Sequence, residues 1–178
     1  MKYLAFGEIM LRLKSVGQER LFQSPMLEAT FGGSEANAAI SMANYGLDVG
    51  FLSDLPLNAV GQACAGELRR FGVDTSRILW KEGRMGVYYM EPGANQLPAR
   101  VIYDRADSAM ALTGPGEIDW DQAFQGVSWS HIPHGAGQGE HRVWRLQLPG
   151  RTVEIRLFRG ICHAGADGQR QCTAGKRI

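Results

Sequence analysis

Two glycines lead directly into an alanine-rich segment in the sequence Phe31-Gly32-Gly33-Ser34-Glu35-Ala36-Asn37-Ala38-Ala39. Glycine lacks a Cβ, so the backbone at such a corner can approach a ligand closely. Ser34 is a preferred N-cap residue, apolar residues then recur at helical spacing, and Gly46 supplies a stop. The pattern predicts a helix over residues 34–45. Its free N–H groups and Asn37, one turn in, would face whatever binds at the glycine corner.

The chain around this corner alternates between strand and helix patterns. Residues 3–6 and 49–52 are short apolar runs that predict buried strands. Asn58 can cap a second helix, which Gly72 can end. The order strand, helix, strand, helix is typical of a βαβ arrangement with a parallel sheet, and therefore of an α/β fold.

Further strands follow the second helix. Residues 86–91 and 100–105 are rich in β-branched and aromatic residues, and Pro92-Gly93-Ala94-Asn95 lies between them, which predicts a hairpin with a long loop. Residues 120–124 predict a short helix, and residues 127–131 predict another strand.

Four motifs carry a family resemblance: Gly7-Glu8-Ile9-Met10-Leu11-Arg12, Glu19-Arg20-Leu21-Phe22-Gln23-Ser24, the Gly-Gly-Ser-Glu-Ala-Asn run from Gly32, and Tyr103-Asp104-Arg105-Ala106. With them the sequence resembles the N-terminal part of ribokinase/PfkB-family carbohydrate kinases, above all the 2-keto-3-deoxygluconate kinases. The resemblance covers about residues 2–131. It implies a ribokinase-like, Rossmann-type parallel sheet with a small β-sheet lid, of which this chain holds the N-terminal part only.

The resemblance also implies an activity and a set of site residues. The activity is ATP-dependent phosphorylation of a sugar acid, expected to be 2-keto-3-deoxygluconate, giving its 6-phosphate. The residues that fall on the family's sugar-acid contacts are Gly33, Tyr88, Tyr103 and Arg105, and those that fall on its sugar-binding corner are Gly32 and Asn37. Arg105 suits this chemistry because its planar guanidinium can hold both oxygens of a carboxylate.

Four of these residues have a simpler interpretation, which for Asn37 is a solvated position on the first turn of the helix. The two tyrosines could pack half-buried in a sheet, with Tyr89 competing with Tyr88 for the site. Arg105 could form a surface ion pair with Asp104 or Asp107. The substrate could also be a neutral sugar, as in fructokinases and ribokinases.

ATP and Mg²⁺ are implied by the family, but the sequence supplies no site for them. The family's catalytic aspartate lies in a Gly-Ala-Gly-Asp segment that this chain lacks. Gly135-Ala136-Gly137-Gln138 is similar, yet a glutamine cannot act as a base and the segment comes too early in the chain. We therefore assign no catalytic, nucleotide-binding or metal-binding residue. The alternative function is a non-catalytic fragment with at most sugar binding.

The character of the chain changes after residue 131. Residues 1–131 hold 11 Lys and Arg against 15 Asp and Glu, whereas residues 132–178 hold 8 against 3, with 8 glycines. The arginines of the tail lack aromatic residues interleaved with them on one face, and its histidines and cysteines lack zinc-site spacing, so we predict neither nucleic-acid nor metal binding. We predict that residues 1–131 are part of the kinase domain and that residues 132–178 are an out-of-frame or disordered extension.

The remaining composition indicates a cytoplasmic protein. No apolar run reaches the ~20 residues that cross a bilayer, the start resembles a strand rather than a signal peptide, and the three cysteines show no disulfide pattern. We expect a small-molecule sugar acid as the partner and no membrane. By resemblance, a homo-oligomer could form through the lid sheet.

Overall fold

The computed structural model describes residues 2–132 in full, together with the strand backbone at 144–148, 151–155 and 162–163. The helices are α1 (Ser34–Asn44), α2 (Ala59–Arg70) and α3 (Trp120–Ala123). The strands are β1 (Lys2–Phe6), β2 (Met10–Ser15), β3 (Leu27–Gly32), β4 (Asp48–Leu52), β5 (Asp54–Pro56), β6 (Leu79–Lys81), β7 (Val87–Glu91), β8 (Arg100–Asp104), β9 (Val127–His131), β10 (Trp144–Leu148), β11 (Arg151–Ile155) and β12 (Cys162–His163). The predicted α/β class is confirmed.

The main sheet has the strand order β12-β9-β1-β4, with β9, β1 and β4 parallel. Its central strand β1 places alternate side chains on opposite faces, as a strand must. Ala5 joins a core with α1 and α2, whereas Leu4 and Phe6 join a second core beside α3. Because both faces are covered, β1 is apolar along its whole buried length, as the sequence run predicted.

A second sheet forms the lid, with the order β3-β2-β7-β8. Strands β2 and β3 are antiparallel, β7 and β8 form the predicted hairpin, and β2 joins the two pairs in parallel with β7. Strand β8 is exposed along its whole length. The lid is anchored to the main sheet at one end, because β2 begins four residues after β1 ends.

The predicted caps and stops of the two long helices agree with the structure, except for the N-cap of α1. Asn58 caps α2 by accepting hydrogen bonds from the backbone N–H groups of Val60 and Gly61. Gly46 and Gly72 follow the two long helices with positive φ, at 79° and 81°. The prediction that Ser34 caps α1 is wrong. Gly33 is the N-cap in an extended conformation, because β3 runs straight into the helix, and no side chain caps α1.

The prediction for the tail stays untested. Residues 133–143 and most residues beyond them, including Gly135-Ala136-Gly137-Gln138, lie outside the described residues. Strands β10 and β11 pair antiparallel with each other, and β12 pairs antiparallel with β9. The proposed boundary between residues 131 and 132 therefore remains a prediction.

Candidate functional site

The two tyrosines lie together on one face of the lid. Tyr88 on β7 and Tyr103 on β8 are directly opposite in the strand register, and their ring centroids are 5.9 Å apart. The Tyr88 hydroxyl lies against Gly32, where a Cβ would overlap the oxygen while the next nearest ring atom stays 3.5 Å away. Gly32 is therefore required to be a glycine so that the Tyr88 hydroxyl can reach the corner.

Arg12 belongs to the same lid face, although it was absent from the predicted site. In the register of β2 it pairs with Thr30 on one side and with Tyr88 on the other. Its Nε donates a 2.7 Å hydrogen bond to Thr30 Oγ1. Tyr89 points to the opposite face, where its ring lies 6.4 Å from that of Phe22. Tyr88, rather than Tyr89, therefore shares a face with Tyr103.

Arg105 lies just after β8 and reaches the end of β1. Its Nη2 is 2.7 Å from Glu8 Oε2 in an ion pair, with 54% of the arginine side chain exposed and only 7% of the glutamate side chain. Glu8 Oε1 accepts a 2.6 Å hydrogen bond from the buried Ser108 hydroxyl. The arginine thus makes an ion pair, but with Glu8 and not with Asp104 or Asp107, the two carboxylates that the sequence suggested.

The segment that carries Arg105 is held by a second arginine. Arg84 donates to both carboxylate oxygens of Asp104, at 2.5 and 3.1 Å, and to the Ala106 carbonyl at 2.8 and 3.2 Å. The hydrogen bond from Arg84 lowers the pKa of the Asp104 carboxyl and the same bond raises the pKa of Arg84. These contacts fix the backbone on both sides of Arg105.

Gly33 brings the glycine corner against the end of β1. A Cβ at this position would lie 2.5 Å from the Glu8 carbonyl oxygen and 3.3 Å from Ile9 Cα. On the other side of Glu8, a Cβ at Gly86 would lie 2.6 Å from Glu8 Oε1. The close approach at Gly33 lets the end of β1 meet the start of α1.

Asn37 lies in the first turn of α1 and is exposed. Its backbone N–H donates to the Gly33 carbonyl at 2.8 Å, and within residues 2–132 its side chain makes no hydrogen bond. Glu35, in the same turn, is buried and accepts a 2.6 Å hydrogen bond from the Ser34 hydroxyl. A carboxylate here is favoured by the helix dipole.

Five of the six predicted residues form two adjoining groups. One consists of Gly32, Tyr88 and Tyr103, and the other links Gly33 and Arg105 through Glu8. Sequence reasoning missed the residues that hold these groups in place: Glu8, Arg12, Arg84 and Ser108. Only Glu8 gave a signal, as a carboxylate at the end of a buried strand. The others are positioned by strand register and loop path, which a single sequence does not state.

A second buried carboxylate, that of Asp54, lies near Glu8 and Ser108. Asp54 follows β4, and its side chain is fully buried, with Thr113 Oγ1 donating to Oδ2 and Lys81 Nζ 3.6 Å away. Burial raises the pKa of the Asp54 carboxyl, against the lowering effects of the Thr113 hydrogen bond and of Lys81. Lys81 also pairs with Glu117. Asp54, Glu8 and Ser108 line one narrow crevice between the main sheet and the residues after β8.

The residues described here do not fit an ATP–Mg²⁺ site. Within residues 2–132, no three or more His, Cys, Asp or Glu side chains come together to hold a metal ion. The sequence contains no Gly-Ala-Gly-Asp segment. We therefore derive no phosphoryl-transfer step from these residues. None of the described helices is long and apolar enough to cross a membrane.

Comparison with known proteins gives similar sugar kinases over the same part of the chain. It is 45% identical to 2-dehydro-3-deoxygluconokinase of Thermotoga maritima, whose crystal structure superposes with a TM-score of 0.72 over 74% of this chain and 40% of that one. It is 37% identical over 119 residues to 2-dehydro-3-deoxygalactonokinase of Haloferax volcanii, covering 66% of this chain and 37% of that protein. It is 36% identical over 90 residues to 5-dehydro-2-deoxygluconokinase of Shouchella clausii, covering 49% and 27%.

The chain therefore spans less than half the length of these relatives. The family model for pfkB family carbohydrate kinases matches residues 2–127, which include strands β1 and β4 of the main sheet, the lid and both glycines of the corner. On this match, this chain belongs to the pfkB family of carbohydrate kinases.

Proposed function

We propose that the chain supplies the sugar-binding part of a kinase that converts 2-keto-3-deoxygluconate and ATP into the 6-phosphate and ADP. The observation that carries the proposal is the position of Arg105. Its side chain is more than half exposed and lies against the side chain of Glu8, whose backbone carbonyl borders Gly33, and its segment is fixed by Arg84. A sugar acid has a carboxylate for the exposed part of this guanidinium to bind, whereas a neutral sugar has none.

The proposed contacts divide by chemistry. Arg105 binds the sugar carboxylate with the N–H groups that Glu8 does not use. Tyr88 and Tyr103 offer hydroxyl groups from one lid face, and their rings cover the apolar edge of the sugar. Gly32, Gly33 and Asn37 form the corner against which the sugar rests. ATP and Mg²⁺ are expected from the family, and their site belongs to a part of the kinase that residues 2–132 do not include.

The proposal has two alternatives. A kinase for a neutral sugar, such as fructose or ribose, would use the same corner without the arginine. A non-catalytic fragment would keep sugar binding and lose phosphoryl transfer. We also propose a cytoplasmic location. A homo-oligomer through the lid is supported by its exposed apolar side chains, among them Phe22, Met26, Val101 and Ile102.

Calorimetric binding to the purified chain tests the sugar-acid assignment. R105A should weaken the binding of 2-keto-3-deoxygluconate by about 1.5–3 kcal/mol, the range for hydrogen bonds to charged groups. The matched control is R100A, which removes another exposed arginine of the lid and should leave binding unchanged. Equal binding by R105A and the unaltered chain, or tighter binding of fructose than of the sugar acid, would remove the assignment.

A further inference from the structure

Glu8 is a buried charged group that contacts the proposed carboxylate-binding arginine, and it has no place among the sugar contacts proposed above. Its side chain is 93% buried, at the end of the central strand of the main sheet. A buried carboxylate is costly unless other groups compensate its charge. Both compensating groups come from the segment after β8: the Ser108 hydroxyl at 2.6 Å and the Arg105 guanidinium at 2.7 Å.

The contact between Glu8 and Arg105 is an ion pair without a well-aligned hydrogen bond. Glu8 Oε2 is buried and has no well-aligned donor within residues 2–132, although Arg105 Nη2 lies 2.7 Å away. The guanidinium has five N–H donors in a plane. Because 54% of the arginine side chain is exposed, part of the guanidinium stays available to a ligand while Nη2 lies against Glu8.

The two partners differ in how firmly they are held. Glu8 belongs to the packed end of β1, whereas Arg105 follows β8, which is exposed throughout. An arginine on such a segment would lose considerable side-chain entropy when it binds a ligand. An anchor in the main sheet removes part of that loss before the ligand arrives.

We propose that Glu8 is a positioning residue that holds the Arg105 guanidinium toward the Gly32–Gly33 corner for a carboxylate-bearing sugar. The proposal rests on the proposed function for the identity of the ligand. The contact between Glu8 and Arg105 does not depend on the proposed function, because it can be measured without ligand. An ion pair that only stabilises the fold would affect every ligand alike.

The test is a double-mutant cycle on the 178-residue chain, with calorimetric binding of 2-keto-3-deoxygluconate as the readout. E8Q keeps an oxygen for the Ser108 hydroxyl but removes the charge. It should weaken binding on the order of tenfold, the equivalent of one charge-assisted hydrogen bond. In the R105A background the same change should weaken binding less than twofold. E8D should recover part of the loss, and E28Q, which removes a carboxylate of the lid, should have no effect.

Two results would overturn the proposal. One is an equal loss from E8Q with and without Arg105, which would indicate a purely structural role. The other is unchanged binding in E8Q. Equal unfolding midpoints for E8Q and the unaltered chain establish that both are folded, and E8D serves if E8Q does not fold.

A ligand-free measurement separates this proposal from the proposed function. Nitrogen-15 NMR should show slow rotation of the Arg105 guanidinium in the unaltered chain and averaged signals in E8Q. If the unaltered chain does not bind the sugar acid, the proposed function fails, and these spectra alone decide whether Glu8 holds the arginine. Identical spectra for the two chains would overturn the positioning role.

Discussion

At the scale of single residues, the glycine corner is defined by the atoms that would collide there. Gly32 leaves room for a hydroxyl at the end of a side chain, whereas Gly33 leaves room for a backbone carbonyl. The first neighbour can be removed by mutation and the second cannot. Two adjacent glycines therefore have separable roles, which the sequence alone does not indicate.

Substituting Gly32 tests this difference. G32A should lower the free energy of unfolding by about 1–2 kcal/mol, as overpacking does, because the new Cβ displaces the Tyr88 hydroxyl. In a Y88F background the nearest ring atom is 3.5 Å away, so G32A should then cost less than about 0.5 kcal/mol. Urea unfolding of the four chains measures both values.

The neighbouring glycine supplies the control. G33A places its Cβ 2.5 Å from the Glu8 carbonyl, so Y88F should not reduce its cost. If Y88F relieves G33A as much as it relieves G32A, the two glycines do not have the separate neighbours described here.

At the scale of elements, the strands and long helices could be predicted because their signals are local. The apolar run of β1, the cap at Asn58 and the glycines after α1 and α2 each follow from a few neighbouring residues. The error at Ser34 has a physical reason. A good capping residue is not used when the preceding strand already delivers the chain in the extended conformation that the N-cap needs.

The cap of α2 gives a prediction for one element. Asn58 Oδ1 accepts from two backbone N–H groups, at 3.0 and 3.1 Å. N58A should therefore lower the free energy of unfolding by about 1 kcal/mol, and N58D, which keeps an acceptor oxygen, should lower it by less than half as much. Thermal or urea unfolding measures both. Equal losses for the two variants would show that the side-chain oxygen does not act as a cap.

The start of β1 gives a prediction about pH. Burial raises the pKa of the Asp74 carboxyl, but the 2.5 Å hydrogen bond from Lys2 and those with Ser76 outweigh it and lower the pKa to about 2. A lowered folded-state pKa contributes stability above the unfolded pKa, and that stability is lost as the pH falls toward the folded one. Solvent exposure limits the contribution to about 1 kcal/mol.

We therefore expect the unaltered chain to exceed D74N in unfolding free energy by about 1 kcal/mol at pH 6, and by about half of that at pH 3. D74N keeps an oxygen for the Ser76 N–H, so the comparison isolates the charge. Urea unfolding at the two pH values measures the difference. A gap that is constant or that widens toward low pH would contradict the assigned pKa.

At the scale of the whole molecule, the family and the fold could be predicted because several weak motifs agree over about 130 residues. The contact that joins the lid to the main sheet at Glu8 could not be predicted, because it depends on the path of the loop after β8.

The chain spans 40% of the Thermotoga maritima kinase, and the family match ends at residue 127. The prediction that residues 132–178 are an out-of-frame or disordered extension rests on the change in composition after residue 131. Sequencing the gene again tests it, since an intact frame through residue 178 with no longer frame alongside would refute it.

The last prediction concerns phosphoryl transfer. The sugar contacts proposed above all lie within residues 1–131, but the sequence holds no Gly-Ala-Gly-Asp segment to provide a base. Loss of a general base alone costs about 10²–10⁴ in rate, and loss of nucleotide positioning costs more. The purified chain should show no ADP release above background in a coupled assay with 2-keto-3-deoxygluconate. Q138D, which completes the Gly-Ala-Gly-Asp string at the wrong place, should not change this.

A hybrid that joins residues 1–131 to the C-terminal remainder of the Thermotoga maritima kinase should be active. R105A should reduce the kcat/KM of that hybrid about tenfold or more. Turnover by the 178-residue chain itself would show that its tail completes a nucleotide site, and an inactive but folded hybrid would show that residues 1–131 do not bind the sugar as proposed.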